Sequence, residues 1–227
     1  MPRLRLLLLS LCLVTLSIAA HSPVAGVFDG CAAAGTGGDA RLNQLKNRAG
    51  IVAAPRPLTV AALQHLPLPA SFTRQRRTWT QAARAVVAPW EAMTVIVEGY
   101  LVGAKEQGLE ASNCRRSNQH DDHLWLAAAA GATKAQSTVA EVTPRWRAAN
   151  PAWTLRELNR LVAQGTHVRL TGWLLFDQDH PDQVGKTRAT IWELHPITRI
   201  EVQRSGRWVE LAPAPAINKA TPRTKRR

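Results

Sequence analysis

The stretch NPAWTLRELNRLVAQG, residues 150–165, reads as a helix inside a region that otherwise reads as strand. Thr154 is placed to cap it, Glu157 completes a capping-box pattern, and Gly165 ends it. Trp153, Leu155, Leu158, Leu161 and Val162 supply its apolar face. Three alternating segments precede it: a strand predicted from Thr94 to Gly103, then DHLWLAA, then STVAEVTP. Two follow it: THVRLTGWLLFD and ATIWELHPITRIEV, with Pro196 marking a bulge or bend in the second. Gly206 then turns the chain into the short return RWVEL. The resulting order is strand, strand, strand, helix, strand, strand. A simple meander needs no helix at that point, and a ferredoxin-like chain would open with a βαβ unit.

That order is the order of an OB-fold, a partly open five-stranded Greek-key barrel. The expected fold class is therefore mainly β, with one helix between strands three and four. The phrases VEGYLV, HLWLA, EVTPR, VRLTGWLLFDQDHP and TIWELHPIT resemble those of a group of exported bacterial OB-fold proteins. The resemblance covers residues 93–211. It implies an architecture and a compartment, and it implies no activity.

The remainder of the 227-residue chain reads differently. Residues 1–20 carry Arg3 and Arg5, an apolar run from Leu6 to Ile18, then Ala19 and Ala20, the pattern of a secretory signal. The run is short for a membrane span, and no second hydrophobic stretch follows; an uncleaved anchor is the alternative. Residues 21–92 read as an irregular Pro/Gly-rich arm, broken by Pro55, Pro57, Pro67 and Pro69, with short helices at Arg41–Arg48 and Thr78–Val87. Residues 212–227 read as a basic disordered tail. Beyond the signal the chain keeps Cys31 and Cys114, an even pair that permits a disulfide in an exported protein. Two unrelated thiols are the alternative. No CxxC or Cys/His zinc spacing occurs.

Net charge is +13, but its placement matters more than its size. Residues 93–211 hold 14 Lys/Arg against 13 Asp/Glu, so the expected barrel is nearly neutral. The excess lies at Arg74, Arg76, Arg77 and Arg84 and in the tail, at Lys219, Arg223, Lys225, Arg226 and Arg227. Such stretches attract anionic polymers and surfaces, nucleic acid among them, without specificity.

Strand alternation sorts the remaining residues by face. Val168, Leu170, Gly172, Leu174 and Phe176 form one face of the fourth strand, and Trp192 and Leu194 read as core in the fifth. Opposite them lie Arg169 and Trp173 in the fourth strand, Glu193 and His195 in the fifth, His123 and Trp125 in the second, and Glu141 in the third. In OB pairing these seven come from neighbouring strands, with Glu98 and Tyr100 near enough to join. Three readings stand side by side. The His and Glu residues pin register as a hydrogen-bond network. Alternatively the seven form a ligand-binding face with the aromatics as stacking surfaces. Or His123, Glu141 and His195 hold a divalent metal or act as general acid and base. The loop FDQDHPDQVGKTRA, with Asp177, Asp179, His180 and Asp182, reads as a turn with Asx caps stabilised by Pro181 and Gly185 rather than a calcium loop. Asp121 and Asp122 likewise read as caps. No GxSxG, Walker or GxGxxG motif occurs. The function expected is an exported, periplasmic or extracellular, non-enzymatic binding module without a cofactor. Its ligand would be an anionic polymer, an oligosaccharide or an envelope protein. A metal-assisted hydrolase or nuclease built on the His/Glu face is the alternative.

Overall fold

The computed structural model describes residues 26–50 and 54–212; the signal-like segment, most of the basic tail and residues 51–53 lie outside them. The described elements are α1 (Ala40–Lys46), β1 (Arg56–Thr59), α2 (Val60–Gln64), α3 (Gln81–Glu91), β2 (Thr94–Glu106), β3 (Asp122–Ala127) and β4 (Thr138–Val142). They continue with α4 (Pro144–Ala149), α5 (Leu155–Ala163), β5 (His167–Phe176), β6 (Trp192–Arg204) and β7 (Arg207–Glu210). Five strands close a ring in the order β2-β3-β4-β6-β5, with β5 pairing back onto β2. The β4–β6 pair is parallel and the other barrel pairs are antiparallel. With the helices between β4 and β5, this is the OB barrel that the element order implies.

β2 makes closure possible by being long. Its first half pairs with β5, from Thr94↔Trp173 to Tyr100↔His167, and its second half pairs with β3. Gly99 sits at the handover, where a Cβ would come within 2.4 Å of the Ala127 carbonyl oxygen. Only glycine lets the two backbones approach that closely. Inside, Val95, Val97, Leu124, Leu126, Ala140, Leu170, Leu174, Trp192 and Leu194 form one apolar cluster. The inward faces are therefore those that alternation assigns. α5 adds Leu158 and Leu161 to the cluster. Thr154 caps α5 by accepting from the Glu157 amide at 3.2 Å, but Glu157 turns its own carboxylate to Arg160. Only half of the expected capping box forms, because a guanidinium one turn on is the stronger partner.

The helix read over 150–165 is α5, and a further short helix, α4, precedes it where the sequence reads as the end of the third strand. Residues 150–154 separate the two, and Trp146 stacks on Trp153 with centroids 6.5 Å apart. The arm holds more order than its proline content suggests. β1 runs parallel to the first half of β2, with Pro57 tolerated on an edge that demands no further amide. The segment before α3 sends Phe72 and Trp79 edge-on against Phe176, at 4.9 and 5.5 Å. Residues 26–50 are tied down mainly by polar side chains. Asn43 donates to the carbonyls of Ala34 and Gly37, and Asn47 to those of Ala33 and Ser112. Arg145 of α4 donates to the carbonyls of Gly26 and Cys31. Cys31 and Cys114 are joined by a disulfide that fastens the arm to the β2–β3 loop. Leu42 and Leu45 of α1 pack on Leu175 of β5, so the arm lies across the outer wall of the barrel.

Candidate functional site

β3, β4 and β6 bring the expected acidic and imidazole groups together on that outer wall. His123 faces Glu141 in the antiparallel register, and Val139 faces Glu193 in the parallel one. Continuing the parallel register sets Glu141 beside His195. The contacts follow: His123 Nδ1 lies 3.0 Å from Glu141 Oε1, and His195 Nδ1 lies 3.1 Å from Glu141 Oε2 and 3.2 Å from Glu193 Oε1. The Gln107 amide also approaches His123 Nδ1. On its other side His195 Nε2 lies 3.2 Å from Asp121 Oδ2.

These groups are sealed. His195 has no exposed surface, and Asp121, His123, Glu141 and Glu193 are exposed by 4% or less. The arm and the two loops provide the cover. Lys46 of α1 pairs with Glu110 at 3.0 Å. Asn113 donates to Asp121 Oδ1 at 2.8 Å. From the β5–β6 loop, Arg188 reaches Asp177 at 2.7 Å and Glu193 at 3.2 Å. Asp177 also binds His180 at 2.8 Å and accepts from the Asp179 amide, so it is an Asx cap and an ion-pair partner at once.

Burial sets the protonation pattern. It pushes Asp121 up to about 6, helped by Glu110. It raises Glu193 as well, with Asp177 adding to the effect. Burial acts the same way on Glu141, yet His195 and the hydrogen bond from His123 outweigh it and hold that carboxyl well below its usual range. Burial disfavours the imidazolium of His195, but the carboxylates of Glu141, Asp121 and Glu193 around it carry it well above an ordinary histidine. In Lys46, too, burial is overcome by Glu110 and the carboxylates beneath.

The seven expected ligand-binding residues do not form one open face. His123, Glu141, Glu193 and His195 meet in the sealed cluster. Trp125 lies 4.3 Å from His123, but Lys134 covers its ring at 3.8 Å and its indole N–H donates to the Thr187 carbonyl. Trp173 is covered by Arg48 at 4.6 Å. Arg169 grips Glu201 with two bonds, at 2.8 and 2.6 Å, and lies over Trp208. Cationic side chains of this same chain thus occupy the aromatic faces expected to stack on ligand. The expected metal trio also changes. One donor atom from each of Asp121, Glu141 and His195 converges within 4.8 Å, and His123 is not in that group; its Nδ1 faces Glu141 and Gln107. Asp121, read as a cap, is a central member. The signal for it was available: it lies two residues before His123, on the same face if the strand is extended backwards. Arg188 and Lys46 carry no such signal, because the loop and the arm bring them in from elsewhere.

A separate, open cleft of about 440 Å³ lies between the arm, the 74–77 segment and the β5–β6 loop. Arg41, Arg74 and Arg77 line it, together with Asp39 and Asp179. Asp39 is committed to the backbone, accepting from the amides of Arg41, Leu42 and Arg76. Burial, then Asp177, raises the Asp179 pKa. The other two arginines of the basic stretch are structural rather than available. Arg76 clamps Glu91 at 2.7 and 2.6 Å, and Arg84 donates to the carbonyls of Trp79, Arg76 and Arg77.

No protein-family model and no curated protein matches the chain. Among solved structures it is similar to yeast Stn1 and Ten1, at 17% identity and a TM-score of 0.38 over 72% of this chain and 70% of that one. It is also similar to an aspartyl-tRNA synthetase from Entamoeba histolytica, at 12% identity and a TM-score of 0.31, over 71% of this chain but only 27% of that one. These likenesses are too loose to carry a functional argument. Strand order and pairing define the class directly: this is an OB-barrel protein with its outer wall covered by its own N-terminal arm.

Proposed function

We propose that this chain is an exported, non-enzymatic OB-barrel module that binds an anionic polymer. The observation that carries the reading is the cleft lined by Arg41, Arg74 and Arg77, beside a loop that in OB-folds flanks the ligand surface. Arg41 makes no ion pair among the described residues, and Arg74 has only an exposed pair with Asp182 at 3.2 Å. A polyanion therefore displaces little on binding and gains bidentate guanidinium contacts. The sealed His/Glu cluster favours this reading over a hydrolase, since catalysis there would require substrate to reach atoms beneath the arm. Export is supported by the signal pattern of residues 1–20 and by the Cys31–Cys114 disulfide, a bond that persists in oxidising compartments. The basic tail lies outside the described residues and is expected to add non-specific attraction.

The test is an anisotropy titration with a labelled single-stranded oligonucleotide and with labelled heparin, across a range of salt. The variant R41A/R74A/R77A should bind at least ~10-fold more weakly. Its salt slope on the oligonucleotide should fall by about 2, the value for three lost phosphate contacts on a single strand. Affinity and slope unchanged in the variant would remove the cleft from the account. A preference between the two polymers identifies which polyanion the cleft suits.

A further inference from the structure

We infer that Asp121, Glu141 and His195 form a structural site for a divalent first-row metal ion, zinc by its donor set, that locks the β2–β3 loop to β4 and β6. This is independent of the polyanion reading, because the cleft does not use these residues. Four observations point the same way.

One donor atom from each residue lies within 4.8 Å of the others. Asp121 Oδ2, Glu141 Oε2 and His195 Nε2 are also buried without a hydrogen-bond partner. His195 Nε2 and Asp121 Oδ2 approach to 3.2 Å, and Glu141 Oε2 and His195 Nδ1 to 3.1 Å, yet neither pair is aligned as a hydrogen bond. Buried polar atoms rarely go unpaired. Two ligands held at zinc distances and a tetrahedral angle sit about 3.4 Å apart, close to the 3.2 Å of the Asp121–His195 pair.

Each of the three residues also engages one atom with a protein partner outside the trio. Asp121 Oδ1 accepts from Asn113 at 2.8 Å, and Glu141 Oε1 faces His123 Nδ1 at 3.0 Å. His195 Nδ1 bonds Glu193 Oε1 at 3.2 Å, and Arg188 holds Glu193 from behind. A histidine oriented by a carboxylate through one nitrogen, with the other nitrogen presented, is the usual support of a metal-bound imidazole. Charge completes the case. Asp121, Glu141 and Glu193 are buried together against Arg188, while Asp177 shares Arg188 and is also matched by His180, and Lys46 is matched by Glu110. Buried charge must be compensated, and a divalent ion does this. Two carboxylates and one imidazole suit zinc and provide too few oxygens for calcium.

The test uses the full chain isolated from its native compartment without chelators. Elemental analysis should find about one zinc per chain. Chelation should lower the melting temperature by several degrees, and added zinc should restore it. Cobalt(II) added to the stripped protein should give a visible absorption band that saturates at about one ion per chain. D121N keeps the side-chain shape and removes one ligand charge; it should weaken binding by at least ~10-fold, and E193Q by ~10–100-fold through the loosened His195. Should D121N fail to fold, the metal content and chelator response of the wild-type chain decide. A chain isolated with negligible metal and no melting shift on zinc addition overturns the inference. So does cobalt or zinc binding undiminished in both D121N and E193Q.

Discussion

Arg76 shows how far a residue's role can lie from its contribution to net charge. Counted along the chain it belongs to a basic patch; folded, it holds Glu91 through two bonds and donates to Gln178 and to the Phe176 carbonyl. Glu91 in turn accepts from the Phe176 amide at 3.0 Å, so the pair links α3 to the end of β5. Arg76→Ala strands a buried carboxylate and should cost about 3 kcal/mol, read as a lower urea midpoint at unchanged slope. His180 offers a pH-dependent prediction. Its hydrogen bond to Asp177 raises its pKa despite burial. That contribution is complete below the unfolded value of about 6.5 and is lost as pH rises through the higher folded value. With 44% of the side chain exposed, it should amount to less than about 1 kcal/mol. The gap in melting temperature between wild type and His180→Gln should therefore narrow as pH rises above about 6.5. Faces were legible at this scale: alternation alone puts Glu193 and His195 opposite Trp192 and Leu194. Partners were less so. His123–Glu141 follows once strands pair, whereas Arg188 and Lys46 reach the cluster through a loop and a helix whose paths no periodicity encodes.

At the scale of elements, the bend in β6 positions the cluster. Register between β5 and β6 shifts on both sides of Gly172, opposite the Pro196 region. A Cβ on Gly172 would meet the Pro196 carbonyl oxygen at 2.9 Å and Ile197 Cα at 3.3 Å, both backbone. Gly172→Ala should then cost about 1–3 kcal/mol, measured by denaturation, because backbone cannot yield as a flexible side chain does. The bend was readable from Pro196, and the five barrel strands from their alternation. β1 was not, since its Pro57 argues against a strand until the edge position is known. The order of residues 26–50 was likewise hidden, because its backbone is satisfied by Asn43, Asn47 and Arg145 rather than by a ladder. The disulfide spans a sequence separation of 83. In the chain-entropy model its removal in a Cys31→Ser, Cys114→Ser variant should cost about 4–5 kcal/mol. The same variant should expose the arm to limited proteolysis before the barrel, as segments held by few apolar contacts open first.

For the whole molecule, the distribution of charge separates two regions with different work. The outer wall of β3, β4 and β6 concentrates buried carboxylates and their counter-charges, and the arm closes it. The cleft beside α1 leaves arginines in solvent. The first region is structural and the second meets ligand. Hydrogen–deuterium exchange of the full chain, with and without saturating heparin or single-stranded DNA at low salt, tests that division most directly. The account predicts slowed exchange across residues 38–41, 74–77 and 179–182, with no change across 119–127 and 188–200. Protection centred on 119–127 and 188–200, or confined to the tail beyond residue 212, would contradict it.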